Sequence, residues 1–212
     1  PVAYDVRHSR SDIPMGDIDR PTLAHDVPCT GGFRLCGDGG ADILLCSDSK
    51  YAYRAWDNVG SVTLLRSSYD PDPFPELGQH RMSLCVGVVH STAEAVRLNT
   101  VLAHPPIYTS APPVPHTGAL PLSGALLKTR FESDSLELVA VKAAENGEGV
   151  VVRLLNRGDS PAVAHISAAW ELNCACAVDN VERPCEDVEV TLLGREVRLT
   201  VPAHAAVAVI LE

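Results

Sequence analysis

Apolar residues recur along this chain at two spacings. In the first ninety residues they come as short runs, Ile43–Cys46, Ser61–Leu65 and Met82–Val89, separated by Gly, Asp and Asn. Runs of that length, rich in β-branched residues, read as buried strands. Ala95, Leu98, Val101 and Leu102 then repeat at helical spacing. Ser91 and Glu94 form a capping box ahead of them and Pro105 ends the run, which predicts one short helix near 92–103. Residues 1–40 carry little periodicity, with short extended pieces expected around Val2–Val6 and Gly32–Leu35.

From Pro105 to Pro121 the chain holds six prolines and no apolar period. Such composition makes a stiff, extended connector. It places a domain boundary there: 1–110, a Pro-rich linker 111–122, and 123–212. Beyond it strand signals dominate: Leu136–Val141, Val150–Leu155, Val163–Ala169, Ala175–Val178, Val188–Leu193, Val197–Val201 and Val207–Leu211. The turn residues Asn146–Gly149, Asn156–Pro161 and Gly194 stand between them. About seven short strands at this spacing predict an antiparallel β-sandwich whose last strand is integrated into the fold.

Composition narrows the function classes. The formal net charge is −10 with no Lys/Arg run. Nucleic acid and anionic membranes both need a basic footprint, so neither is expected as a partner. No stretch approaches the ~20 apolar residues of a membrane helix, and the N-terminus lacks a signal-peptide pattern. The seven Cys sit mostly inside apolar runs. They read as small buried hydrophobes in a reducing compartment, so a cytoplasmic location is expected. Cys174, Cys176 and Cys185 lack the paired spacing of a zinc site.

The densest polar chemistry lies in Thr63–Arg81. An apolar run ends at Arg66, opens into a loop with Asp70-Pro71 and Asp72-Pro73, and closes on Gly78-Gln79-His80-Arg81. Proline pushes the residue before it toward extended geometry, so both Asp side chains are presented from stiff backbone. Such a loop can hold a ligand, and the same residues also build ordinary rigid turns. Asp70 and Asp72, two apart in an extended segment, would lie about 6–7 Å apart. That is near the roughly 5–5.5 Å of a retaining glycosidase pair, but no apolar wall is apparent to raise one pKa. Substrate positioning therefore ranks above catalysis. Trp56, expected in a polar turn over Arg54–Asn58 and joined by Tyr51 and Tyr53, is a candidate for stacking on a sugar face, whereas Trp170 reads as core.

Several segments together resemble the C-terminal region of the glycoside hydrolase family 38 α-mannosidases, particularly the bacterial type. They are Ile13–Pro21, Ser49–Tyr53, Thr63–His80, Glu94–Leu98 and Val178–Pro184, in matching order and spacing. Ser49 and Ala52 stand where that family usually has Asn and Gly. The resemblance implies an all-β chain: the end of a large, galactose-mutarotase-like β-supersandwich over 1–110, and a smaller closing β-sandwich. It implies the non-catalytic distal part of a retaining, metal-dependent glycosidase. The nucleophile and a divalent metal, usually zinc, would then belong to an upstream catalytic domain, with no catalytic or metal residue here. Arg66, Asp70, Asp72, Gln79 and His80 would approach the sugar of an α-mannoside oligosaccharide. A stand-alone carbohydrate-binding module, a purely structural scaffold and a homo-oligomer contact remain alternative readings.

Overall fold

A computed structural model describes residues 6–13, 16–21, 23–37, 39–56, 59–68, 70–71, 74, 76–108, 110 and 123–212. It forms two compact units, Pro1–Tyr108 and Thr109–Glu212. The stretch 111–122, where the linker is expected, lies outside the described residues, as do residues 1–5. The fold is all-β with antiparallel sheets and one helix.

The first unit contains strands β1 (Val6–Ile13), β2 (Gly16–Pro21), β3 (Leu23–Pro28), β4 (Gly32–Gly37), β5 (Asp42–Ser47), β6 (Ala52–Trp56), β7 (Val59–Val62) and β8 (Leu84–Val89), then helix α1 (Thr92–Ala103). A five-stranded sheet, β2-β1-β4-β5-β8, carries one layer on each face. On one side lies the three-stranded sheet β3-β6-β7, sharing a core of Cys29, Phe33, Leu35, Tyr53 and Ala55. The Phe33 and Tyr53 rings stack at 6.0 Å between centroids. On the other side α1 lays Ala95, Leu98 and Leu102 over Leu44, Cys46, Cys85 and Val89. The helix begins as its capping residues dictate: Ser91 Oγ accepts from the Glu94 amide at 3.1 Å, and Glu94 Oε2 accepts from the His90 amide at 2.9 Å. Val101, counted with the apolar stripe on spacing, faces solvent instead.

The five-stranded sheet and the helix meet at Arg34. Its guanidinium is buried (5% exposed) and donates to Asp17 Oδ2 at 2.5 Å, Asp42 Oδ2 at 3.4 Å and Thr92 Oγ1 at 3.2 Å. One side chain thus ties β2, β4, β5 and the start of α1. A buried guanidinium is tolerated only when paired and hydrogen-bonded in this way.

The second unit contains β9 (Leu127–Phe131), β10 (Leu136–Ala143), β11 (Val150–Asn156), β12 (Ala162–Ala168), β13 (Ala175–Val178), β14 (Val190–Leu193), β15 (Glu196–Val201) and β16 (Ala206–Leu211). Two four-stranded sheets, β10-β11-β16-β13 and β14-β15-β12-β9, face each other as a sandwich. Alternation along β15 puts Val197, Leu199 and Val201 in the core and Arg198 and Thr200 outside. The last strand, β16, is paired on both edges, with β11 and β13, so the C-terminal segment is integrated. Trp170 packs against this core from just beyond β12.

Strands β1, β2, β3, β6 and β9 had no signal in the apolar pattern, and Arg54–Trp56, expected in a turn, belong to β6. Among the described side chains of β1 the buried ones are Ser9 and Ser11, polar like Arg10 between them. In β9 three successive positions, Lys128, Thr129 and Arg130, are exposed. Cysteine burial is mixed: Cys29, Cys36 and Cys46 are buried, Cys85, Cys176 and Cys185 half-buried, and Cys174 is exposed, against the expectation for that residue.

Candidate functional site

The loop 63–83 leaves β7 and enters β8, and a carboxylate pins each end. At the entry Thr63 donates its amide to Ala52 O at 2.9 Å, and its hydroxyl to both oxygens of Asp26 at 3.2 Å. Asp26 also accepts from Arg54 Nε at 2.8 Å. The Arg54 hydrogen bond holds the Asp26 carboxyl below the usual carboxylate range. At the exit Asp48 Oδ1 accepts from the Ser83 amide at 3.0 Å, and the Asp48 amide donates to Ser83 O at 3.2 Å. The Ser83 amide is the main reason the Asp48 carboxyl is held low. Hydrogen bonds to the charged form stabilise it over the acid.

Within the loop Glu76 is the organiser. Its side chain accepts from the Arg66 amide at 2.8 Å, and its carbonyl meets His80 Nε2 at 2.7 Å. Glu76 takes a left-handed backbone (φ 59°) and Gly78 has φ 138°. A non-glycine residue pays about 1–2 kcal/mol for that conformation, so the two contacts of Glu76 offset a real cost.

Of the residues singled out in sequence, Arg66 lines a cleft with Lys50, Tyr51, Ala52, Thr63, Leu64 and Glu76. His80 belongs to the loop's own scaffolding through Glu76. Asp70 and Gln79 are exposed loop residues, the former preceding a cis Pro71. Asp72 lies outside the described residues, so the pair geometry proposed for it has no counterpart here. Trp56 ends β6, partly exposed. Tyr53, counted among possible stacking rings, is fully buried, its hydroxyl donating to Lys50 O at 3.1 Å. Its phenol is pushed up by burial. Tyr51 is the ring the fold presents at the cleft, 71% exposed. Tyr51 precedes β6, so it is not held to the face that carries Tyr53 inward.

Two cleft residues, Lys50 and Glu76, were not singled out as site residues, and Tyr51 was named only as a companion of Trp56. Lys50 and Tyr51 fall in a β5–β6 connection thirteen or more positions away, brought to Arg66 by strand pairing of β6 with β7. The cleft measures about 120 Å³. Sites that bury most of a small ligand start near ~300 Å³, so this is one wall of a site. A far tighter space of about 10 Å³ lies beneath α1 among Asp17, Arg34, Thr92 and Asn99. It has room for about one water, and Asn99 Oδ1 there is buried without a hydrogen-bond partner. It is a packing feature. Among the described residues no cluster of His, Cys, Asp and Glu is arranged to hold a metal ion. Among the described residues no helix is long and apolar enough to cross a membrane.

This geometry defines an all-β chain with an open, polar cleft beside a pinned loop. A solved structure described as a protein in the glycosyl hydrolase family 38 from Enterococcus faecalis has the same fold. It matches with a TM-score of 0.73 at 16% identity, over 99% of this chain and 25% of that one. The chain therefore spans about a quarter of the length of that protein. No family profile and no curated protein matches the sequence.

Proposed function

We propose that this chain is the distal, non-catalytic part of a glycoside hydrolase of the α-mannosidase type, and that its 63–83 loop and adjoining cleft complete the sugar site of that enzyme. The observation that supports this most is the fold match to a family 38 protein over 99% of this chain but only 25% of the other. The cleft agrees with it. Tyr51 offers a flat apolar ring, and Lys50, Arg66 and Glu76 offer donors and an acceptor for hydroxyl groups. Arg66 is the residue of the expected sugar-facing set that lines the cleft; Asp70 and Gln79 are exposed residues of the same loop. The described residues do not fit a metal centre. The divalent ion, the nucleophile and the acid/base carboxylate of a retaining α-mannoside hydrolysis belong in this reading to polypeptide outside the chain, and no step is assigned to a metal here. A cytoplasmic enzyme suits the free thiols.

The test has two arms. The 212-residue chain should leave an aryl α-mannoside unhydrolysed; turnover by the pure chain refutes the assignment. In the longer enzyme Arg66→Ala should raise KM for mannoside with kcat less affected, the mark of lost substrate binding. Exposed Tyr51 also favours a second reading, direct glycan binding by the chain alone. Saturable binding of mannobiose in calorimetry, abolished by Tyr51→Ala, would establish that one instead.

A further inference from the structure

Strand β8 has the composition of a strand buried on both faces. Its six residues, Leu84–Val89, include no charge, no proline and no break in register against β5. Cys85 and Val89 face α1. Leu84, Val86 and Val88 point the other way, on the face where Leu45 and Ile43 of β5 meet the small sheet. One strand further out they are bare: 44%, 71% and 61% exposed.

The cause is a mismatch in strand number. The three-stranded sheet covers the far end of the five-stranded one, with β3 against β1 and β7 against β4. The β7–β4 approach is so close that a Cβ on Gly60 would come within 2.7 Å of Leu35 Cδ1. Cover therefore stops near β5. Among the described strands β8 also pairs with β5 alone, so its second edge of N–H and C=O groups is free. Natural edge strands are usually blunted by lysine, proline or a bulge, and β8 has none of these.

The uncovered apolar surface extends into the loop that feeds β8, through Leu64, Leu65, Phe74 and Leu77. Seven large apolar residues between 64 and 88 are exposed, more than one added strand would cover, and exposed apolar surface on that scale marks an interaction site. A second copy of the chain is a poor occupant, since each copy carries a net charge of −10 and association must overcome that repulsion. The matched Enterococcus faecalis protein is about four times as long as the region this fold occupies, so there the same fold sits within much more polypeptide. A linked segment also has the advantage of high effective concentration.

We infer that β8 is a sheet-extension surface: strands from the rest of a longer glycosidase polypeptide complete it, one hydrogen-bonded antiparallel to its free edge and others continuing the facing layer with uncharged apolar side chains over Leu84, Val86 and Val88. This rests on the proposed function in one respect, that the chain works as part of a larger enzyme. Strand addition of this kind takes its affinity from main-chain hydrogen bonds and its register from the side-chain alternation.

The experiment compares the protein from the complete reading frame with the 212-residue chain by amide hydrogen exchange, each with and without the double change Val86→Lys, Val88→Lys. Residues 84–89 should exchange at least roughly tenfold more slowly in the longer protein, and the double change should erase that protection. In the 212-residue chain, where both positions are solvated, it should leave the melting temperature nearly unchanged. Equal exchange in the two proteins, tolerance of both lysines by the longer one, or a reading frame with nothing beyond these residues overturns the inference. So does a dimer of the 212-residue chain in ultracentrifugation that the lysines convert to monomer. An aryl α-mannoside assay on the longer protein separates the two readings. Protection of β8 without activity removes the glycosidase reading alone, and activity with β8 unprotected removes this one alone.

Discussion

Replacing Arg34 by Met keeps an unbranched apolar stem but removes the guanidinium and its charge. Asp17 and Asp42 then face each other in a mostly dry site without their cation, and Thr92 loses its donor. Breaking a buried ion pair from one side costs about 3–5 kcal/mol, because the desolvated partner charge is left uncompensated. Two details favour the lower end. The Asp42 contact is long at 3.4 Å, and the Asp17 and Asp42 side chains retain 16% and 22% of their exposure. Taking about 3 kcal/mol, and roughly 4–8 °C per kcal/mol for a domain of this size, the first unit should melt about 12–24 °C lower. The internal control is Arg10–Asp19 on β1 and β2, a bidentate pair whose side chains are 34% and 54% exposed. A surface pair of that kind contributes about 0–1 kcal/mol, so Arg10→Met should move the same transition by less than about 8 °C. Scanning calorimetry reads both variants, and the transition of the second unit serves as a reference in each scan. Equal shifts for Arg34→Met and Arg10→Met would refute the reasoning, since burial would then make no difference to the energy of the pair. Adding Asp17→Asn and Asp42→Asn to Arg34→Met should recover part of the loss, because the uncompensated charges are gone.

Other expectations follow from the same coordinates. Glu76→Ala removes the Arg66 anchor of the loop, so proteolysis within 66–81 should accelerate while the melting temperature moves little; unchanged proteolysis would show that Glu76 does not organise the loop. His165 bonds Glu132 at 2.8 Å and Glu196 at 3.0 Å across β9, β12 and β15, and this imidazole is the main cause holding both carboxyls below their usual range. Carboxyls lowered in the fold add stability that is present above the unfolded carboxylate value and is lost as pH falls through the folded ones. Urea midpoints of His165→Gln should therefore differ most from the parent above about pH 4.3 and converge below it. Gly149 (φ +85°) has Leu211 O within 2.6 Å of a would-be Cβ, whereas Gly147 (φ +82°) has nothing within 4 Å. Gly149→Ala should cost clearly more than the roughly 1 kcal/mol expected of Gly147→Ala, read by urea unfolding. Under a maleimide reagent exposed Cys174 should label first. Buried Cys46, whose thiol is pushed up to about 12 chiefly by desolvation, should label only on unfolding.

Much of the fold was legible locally. Ser91, Glu94 and Pro105 bound the helix because capping and proline stops act within one turn of chain. The closing sandwich was readable because its strands bury one face, and Val197, Leu199 and Val201 alternate with charged neighbours as that requires. Strands β1 to β3 were not readable. Serines occupy the buried positions of β1, and hydrogen bonding within a sheet satisfies backbone that side-chain polarity does not report. The candidate site was half legible: Arg66 stood out by its place in the loop, while Lys50 and Tyr51 reach it only through the pairing of β6 with β7.

The sequence by itself determined an all-β chain with one capped helix, an acidic surface and a polar loop between two strands, because periodicity, capping and charge are local or additive properties. Only the tertiary structure decided that Tyr53 is core and Tyr51 is at the cleft, that Arg34 ties three strands of one sheet to the helix, and that β8 stands uncovered. Those outcomes depend on which strands pair and how many lie in each sheet, and pairing joins residues whose separation along the chain carries no mark of their meeting.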